Sequence, residues 1–108
     1  MDPELKSKWV DALRSGKYKQ GRGYLCRDDA YCCLGVLCDI SGIGEWKNVP
    51  DENGLTYVTS QDQDRFGLPY SVREEIPESK LHILSTLACM NDDGVSFETI
   101  AKEIEEKL

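Results

Sequence analysis

Tyr31-Cys32-Cys33-Leu34-Gly35-Val36-Leu37-Cys38-Asp39-Ile40 is apolar or cysteine at nearly every position, and Ser41-Gly42 ends it. A buried strand and a buried helix both fit so short a run, because periodicity does not separate them. Its length and the glycine at position 42 favour the helix. With Cys26 just upstream, four of the five cysteines fall within thirteen residues. Such density raises three chemistries: a metal site, a disulfide staple or a reactive thiol.

Spacing disfavours the metal. Structural zinc sites bring cysteines in C-x2–4-C pairs with a second pair of Cys or His elsewhere. Here Cys32 and Cys33 are adjacent, Cys38 follows, and His82 is the single histidine. On a helix Cys33 and Cys38 would point about 140° apart. Disulfides are disfavoured by the odd cysteine count and by an N-terminus, Met1-Asp2-Pro3-Glu4-Leu5-Lys6, without a secretory pattern. A chain kept in the cytoplasm holds its thiols reduced. A catalytic cysteine needs a base or a positive environment, and nothing near His82 in sequence supplies the pairing. Cys32, Cys33 and Cys38 interleave with Leu34, Val36, Leu37 and Ile40, as small buried hydrophobes do. Cys26 lies outside the apolar run and is expected to be the cysteine of this cluster nearest solvent.

Upstream, residues 14–27 carry a different chemistry. Arg14, Lys17, Lys19, Arg22 and Arg27 alternate with Gly16, Gly21 and Gly23, and Tyr18 and Tyr24 lie among them. Glycines let backbone amides approach an anion, Lys and Arg add charge, and tyrosine offers a stacking face. Arg14, Lys17, Lys19, Arg22, Tyr24 and Arg27 are therefore the candidate ligand-binding residues. Neither the P-loop nor the G-x-G-x-x-G spacing is matched, and a connecting loop leading into a short strand accounts for the same residues. Tyr24-Leu25-Cys26-Arg27 reads as extended and Asp28-Asp29 as a turn.

The first helix is well signalled. Asp2 can cap it, Pro3 suits its first position and Glu4 its positive end. Leu5, Trp9, Ala12 and Leu13 form its apolar stripe and Gly16 its stop. Downstream, residues 46–49 and 55–59 read as strands around Pro50-Asp51-Glu52-Asn53-Gly54, where Asn53-Gly54 is a hairpin signal. Pro69 opens a short helical turn carrying Val72 and Ile76. Pro77-Glu78 begins a helix with Leu81, Leu84, Leu87 and Ala88 on one face, stopping at Asn91-Asp92-Asp93-Gly94. Ser96 caps a last helix, whose Phe97, Ile100, Ala101, Ile104 and Leu108 give the clearest helical period in the chain.

The Asn91–Gly94 turn is not an EF-hand, since loop positions one and twelve would be Cys89 and Ile100. The helix pair around it resembles a helix-turn-helix in length, but its second helix presents glutamates where a reading helix presents basic and amide side chains.

At 108 residues, 40% hydrophobic and 31% charged, the composition is that of one ordinary globular domain spanning 1–108. No run reaches the roughly 20 apolar residues that span a bilayer. The net charge of −7 is unevenly spread: residues 1–50 carry eight Lys/Arg against seven Asp/Glu, and residues 51–108 five against thirteen. An acidic C-terminal half disfavours nucleic acid as a partner and suits solubility or a partner with a basic face.

Three segments, Trp9-x-x-Ala12-Leu13-Arg14-Ser15-Gly16-x-Tyr18-x-Gln20-Gly21, the run Tyr31 to Asp39, and Asn91-Asp92-x-Gly94-x-Ser96-Phe97-x-x-Ile100-Ala101, together resemble a group of small uncharacterised proteins of tailed bacteriophages, marine ones included. The likeness covers most of the chain, and Cys32-Cys33-Leu34-Gly35-Val36-Leu37-Cys38 is its most specific part. It implies a context, an accessory protein made in the cytoplasm of an infected bacterial cell, and transfers no catalytic residue.

The expected architecture is α+β, a small antiparallel sheet packed against about four helices. The expected function is that of a phage accessory protein of unknown specific activity, a non-enzymatic binding or host-modulating module that binds a host or phage component, such as a host or phage protein, and blunts a host defence. The alternative is a binder of a nucleotide or other anionic small molecule through residues 14–27. No cofactor, metal or catalytic set is expected.

Overall fold

The decisive run is a helix, and it divides where its capping chemistry dictates. In the computed structural model, which describes residues 1–48, 54–64 and 66–108, Tyr31 belongs to a strand and Cys32 is the cap. Helix α2 then runs over Cys33–Ser41. The Cys32 thiol accepts the Gly35 N–H at 3.4 Å, and Gly42 ends the helix in the left-handed conformation at φ 66°. Cys33, Val36, Leu37 and Cys38 are all fully buried, so the helix is apolar around most of its surface. It packs on α1 (Pro3–Arg14), on α4 (Leu81–Asp92) and on strand β3 (Ala30–Tyr31), and so forms the hub of the domain.

The other helices follow their sequence signals. Asp2 Oδ2 accepts the Leu5 N–H at 3.0 Å at the start of α1, and Trp9, Val10 and Leu13 face inward. Trp9 donates its indole N–H to the Cys33 carbonyl at 2.9 Å, tying α1 to the first turn of α2. The short α3 (Tyr70–Arg73) follows Pro69, and a 3₁₀ turn (Glu78–Lys80) leads into α4. Ser96 caps α5 (Phe97–Lys107), whose apolar stripe lies against α1 and α4.

The fold is α+β, as the sequence indicates. Its sheet has five short strands in the order β1 (Lys19–Gln20), β3, β2 (Cys26–Arg27), β5 (Leu55–Val58), β4 (Glu45–Asn48). All neighbouring strands pair antiparallel except β1 and β3, which are parallel. The parallel pair arises because residues 21–25 carry the chain past the position that β3 later fills, so the returning β3 lies between β1 and β2. Asp28 and Asp29, at φ 52° and 63°, make the two-residue turn joining β2 to β3. Two consecutive left-handed residues match the twist of a tight hairpin, and aspartate tolerates that region better than most side chains. The Pro50–Asn53 part of the β4–β5 connection, with its Asn-Gly signal, and Val49 lie outside the described residues; Gly54 itself is buried.

An aromatic ladder braces the sheet. Tyr18, Tyr31, Trp46 and Tyr57 meet edge to face in sequence, at centroid separations of 5.1, 5.6 and 4.9 Å. Such offset arrangements are the favoured ones for aromatic rings. Asp39, at the end of α2, accepts the Tyr18 hydroxyl at 2.5 Å and the Trp46 indole N–H at 2.9 Å, which fixes both polar ends.

One cysteine expectation is corrected. Cys26 is 1% exposed because its side chain lies on the covered face of β2, the next residue, Arg27, being on the exposed one, so the most accessible member of the cluster is Cys32, and Cys89 on α4 is exposed. All five thiols are free.

Candidate functional site: a basic pocket beside the sheet edge

The segment between α1 and α2 is folded by glycines and by one buried amide. Gly16, at φ 76°, turns the chain away from α1 into β1. Beyond β1, Asn91 of α4 reaches the loop from below. Its Nδ2 donates to the Gly21 carbonyl at 2.7 Å, and its Oδ1 accepts Gln20 Nε2 at 3.0 Å and the Cys33 backbone N–H at 3.2 Å. Gln20 Nε2 also donates to the Val95 carbonyl at 2.6 Å, and Gly23 N–H to Asp92 Oδ1 at 2.9 Å. Asn91 is completely buried, and every polar atom of its side chain is satisfied. The loop is thus pinned to the α4–α5 corner rather than left free over it.

This anchoring assembles part of the candidate set. Lys19, Arg22, Tyr24 and Arg27 line one surface pocket of about 290 Å³, with Gly21, Asp28 and Ala30 completing its wall. The Arg27 guanidinium lies over the Tyr24 ring at 4.9 Å from its centre, within cation–π range. Arg27 Nε also approaches the Asp28 carboxylate at 3.7 Å, an exposed pair of small energetic weight. Arg22 lies across Gly94, where a Cβ would collide with its guanidinium, so the glycine at the α4–α5 turn makes room for that arm. Three cations face the pocket against one carboxylate.

Arg14 and Lys17 stand apart from it. Arg14 bridges α1 to α5 through Glu98 at 3.1 Å and Glu105 at 2.5 Å, and these glutamates raise its already high pKa. Lys17 lies beside a separate shallow surface with Lys8, Asp11 and Tyr18. Sequence neighbourhood placed six residues together, and the geometry groups four of them.

Asn91 was not singled out by the sequence, yet it organises the loop. Its signal is positional: it follows Leu84 and Leu87 at helical spacing, so it falls on the buried stripe of α4. An amide there needs partners.

The cysteines have the character of core residues. Burial pushes the Cys26, Cys32 and Cys33 thiols up from their ordinary value, and Cys38 up to about 12. Cys33 Sγ donates to the Leu87 carbonyl at 3.6 Å, and Cys38 Sγ to the Gly67 carbonyl at 3.9 Å. Protonated thiols of this kind are the opposite of an activated thiolate. Among the described residues no group of three or more His, Cys, Asp or Glu side chains is placed to hold a metal ion, and no helix is long and apolar enough to cross a membrane.

Gly35 explains the tight spelling of the cysteine run. A Cβ at this position would overlap the carbonyl oxygen of Leu25, so α2 lies directly on the backbone leading into β2. The Cys32 N–H donates to that same carbonyl at 3.2 Å.

No curated protein and no solved structure matches the chain. A family model does match, over residues 1–108, and its description is a domain of unknown function, DUF8296. The chain belongs to the DUF8296 family.

Proposed function

We propose that this protein is a binding module that works without catalysing a reaction, and that it takes an anionic, phosphate-like group in the pocket of Lys19, Arg22, Tyr24 and Arg27. The observation that carries the reading is the convergence of three cations and an aromatic ring on one recess of about 290 Å³, on a loop held by the buried amide of Asn91. A pocket of this size accepts a small head group rather than a long polymer. Guanidinium groups suit phosphate because they donate in a planar fork, and Tyr24, already stacked under Arg27, offers a face to a planar ring. Pinning the loop beforehand lowers the ordering cost of binding.

The resemblance to small phage proteins supplies the proposed setting, an accessory protein in the cytoplasm of an infected bacterial cell. There the anionic group would belong to a nucleotide-like metabolite or to the surface of a host or phage protein. Calorimetric titration with inorganic phosphate and with nucleoside mono-, di- and triphosphates tests the pocket. Heat that Arg22→Ala abolishes, with the fold intact, supports the reading. Silence across the panel together with no specific partner in a pull-down from infected cells refutes it.

A further inference from the structure

A second cavity, independent of the basic pocket, lies where the loop before α3 meets the start of α4. It encloses about 360 Å³ and is lined by Asp64, Phe66, Arg73, Leu81, His82 and Leu84. That volume is within the range of small-molecule sites, about 300–1,000 Å³. Its chemistry is sorted by position. Phe66, Leu81 and the fully buried Leu84 give it an apolar wall. Arg73, a half-buried residue from the last turn of α3, brings a guanidinium, and Asp64 brings a carboxylate from the loop.

Asp64 and Arg73 do not pair with each other, and no carboxylate among the described residues pairs with Arg73. A partly buried charge without a counter-charge is costly. Asp64 is held rigidly: its Oδ1 accepts the Phe66 and Leu68 N–H groups at 2.9 and 3.0 Å, while no donor among the described residues reaches its Oδ2. One fixed anion and one cation without an ion-pair partner among the described residues therefore share an apolar recess. A simple carboxylic acid would gain from Arg73 and be repelled by Asp64, and a simple amine would meet the reverse. A zwitterion gains from both.

We propose that this cavity binds a small amphoteric ligand with an apolar body, of the class of a free apolar α-amino acid. Its carboxylate would lie on Arg73, its ammonium on Asp64 and its side chain against Phe66, Leu81 and Leu84. His82, at the rim, offers one further N–H donor to the carboxylate.

The test compares L-leucine with isocaproate, which lacks the ammonium, and isoamylamine, which lacks the carboxylate, followed by calorimetry and by amide NMR shifts of the intact protein. L-leucine is expected to bind at least roughly tenfold more tightly than either fragment, one charge-assisted hydrogen bond being worth about that factor. Its shifts should map to residues 64, 66–68, 73 and 81–84. Arg73→Gln and Asp64→Asn, both on partly exposed side chains and the latter keeping the loop's acceptor, should each remove most of the preference. Asp64→Asn should bring isocaproate close to L-leucine. Silence across the three compounds, equal binding of L-leucine and isocaproate to the unmodified protein, or shifts confined to residues 19–28 would each overturn the proposal.

Discussion

Replacing Asn91 by leucine tests how the candidate loop is held. The change removes three hydrogen bonds at a fully buried position. Gln20 keeps its bond to the Val95 carbonyl, so its amide is not stranded. Cys33 N–H and the Gly21 carbonyl are left facing an apolar side chain, and each unsatisfied buried group costs about 1–3 kcal/mol. The expected loss is about 3–4 kcal/mol, a large share of the roughly 5–15 kcal/mol that holds a domain of this kind. Equilibrium unfolding in urea reads it as a lower midpoint at unchanged slope. Asn91→Asp separates the two halves of the amide. It keeps an acceptor for Cys33 and Gln20 but sets an oxygen against the Gly21 carbonyl, where the structure has a 2.7 Å donor contact. It should therefore also destabilise, despite being nearly the same size. A loss below about 1 kcal/mol for Asn91→Leu would mean that these backbone groups find other partners, and the account of Asn91 as the anchor would be wrong.

Gly35→Ala should be among the most damaging single changes in the chain, because the new methyl would meet backbone rather than a movable side chain; folded, soluble protein of near-normal melting temperature would contradict the close packing of α2 on Leu25. Stability should fall in alkali. The thiols of Cys26, Cys32, Cys33 and Cys38 and the hydroxyls of Tyr18 and Tyr31 hold their protons more tightly folded than unfolded, so their contribution is complete below the ordinary values of 9.0 for thiols and 10.0 for tyrosines and is lost as pH rises above them, through about 12 for Cys38 and Tyr31. Cys38, raised to about 12, contributes a slope of up to about 1.4 kcal/mol per pH unit between 9.0 and about 12, and Cys38→Val should flatten the measured slope by that share. Iodoacetamide at neutral pH should label Cys89 first and Cys32 more slowly, and reach Cys26, Cys33 and Cys38 only on unfolding; rapid labelling of Cys33 in the native protein would show that the core opens readily.

Sequence by itself was sufficient wherever the signal is local. The caps at Asp2 and Ser96, the stop at Gly42 and the apolar period of residues 97–108 act through hydrogen bonds and side-chain spacing within one or two turns, so they can be read without knowing the rest of the fold. The same holds for reading the cysteine run as buried core, because thiols interleaved with Leu and Val already behave as hydrophobes, whereas its length and Gly42 only favour a helix over a strand, and the structure decides it. What lay beyond it were the relations between distant segments. Nothing local tells that Asn91 reaches Gln20, Gly21 and Cys33, across 58 to 71 residues, or that β3 slips between β1 and β2. Nor does proximity in the chain tell that Arg14 turns to the glutamates of α5 while Lys19, Arg22 and Arg27 meet at a pocket. Charge is legible in sequence, but its direction is set by packing: a side chain points where its helix or strand is held, and that is decided by contacts made elsewhere. The cavity between Asp64 and Arg73 belongs wholly to this second kind, since two separately folded segments create it only when they meet.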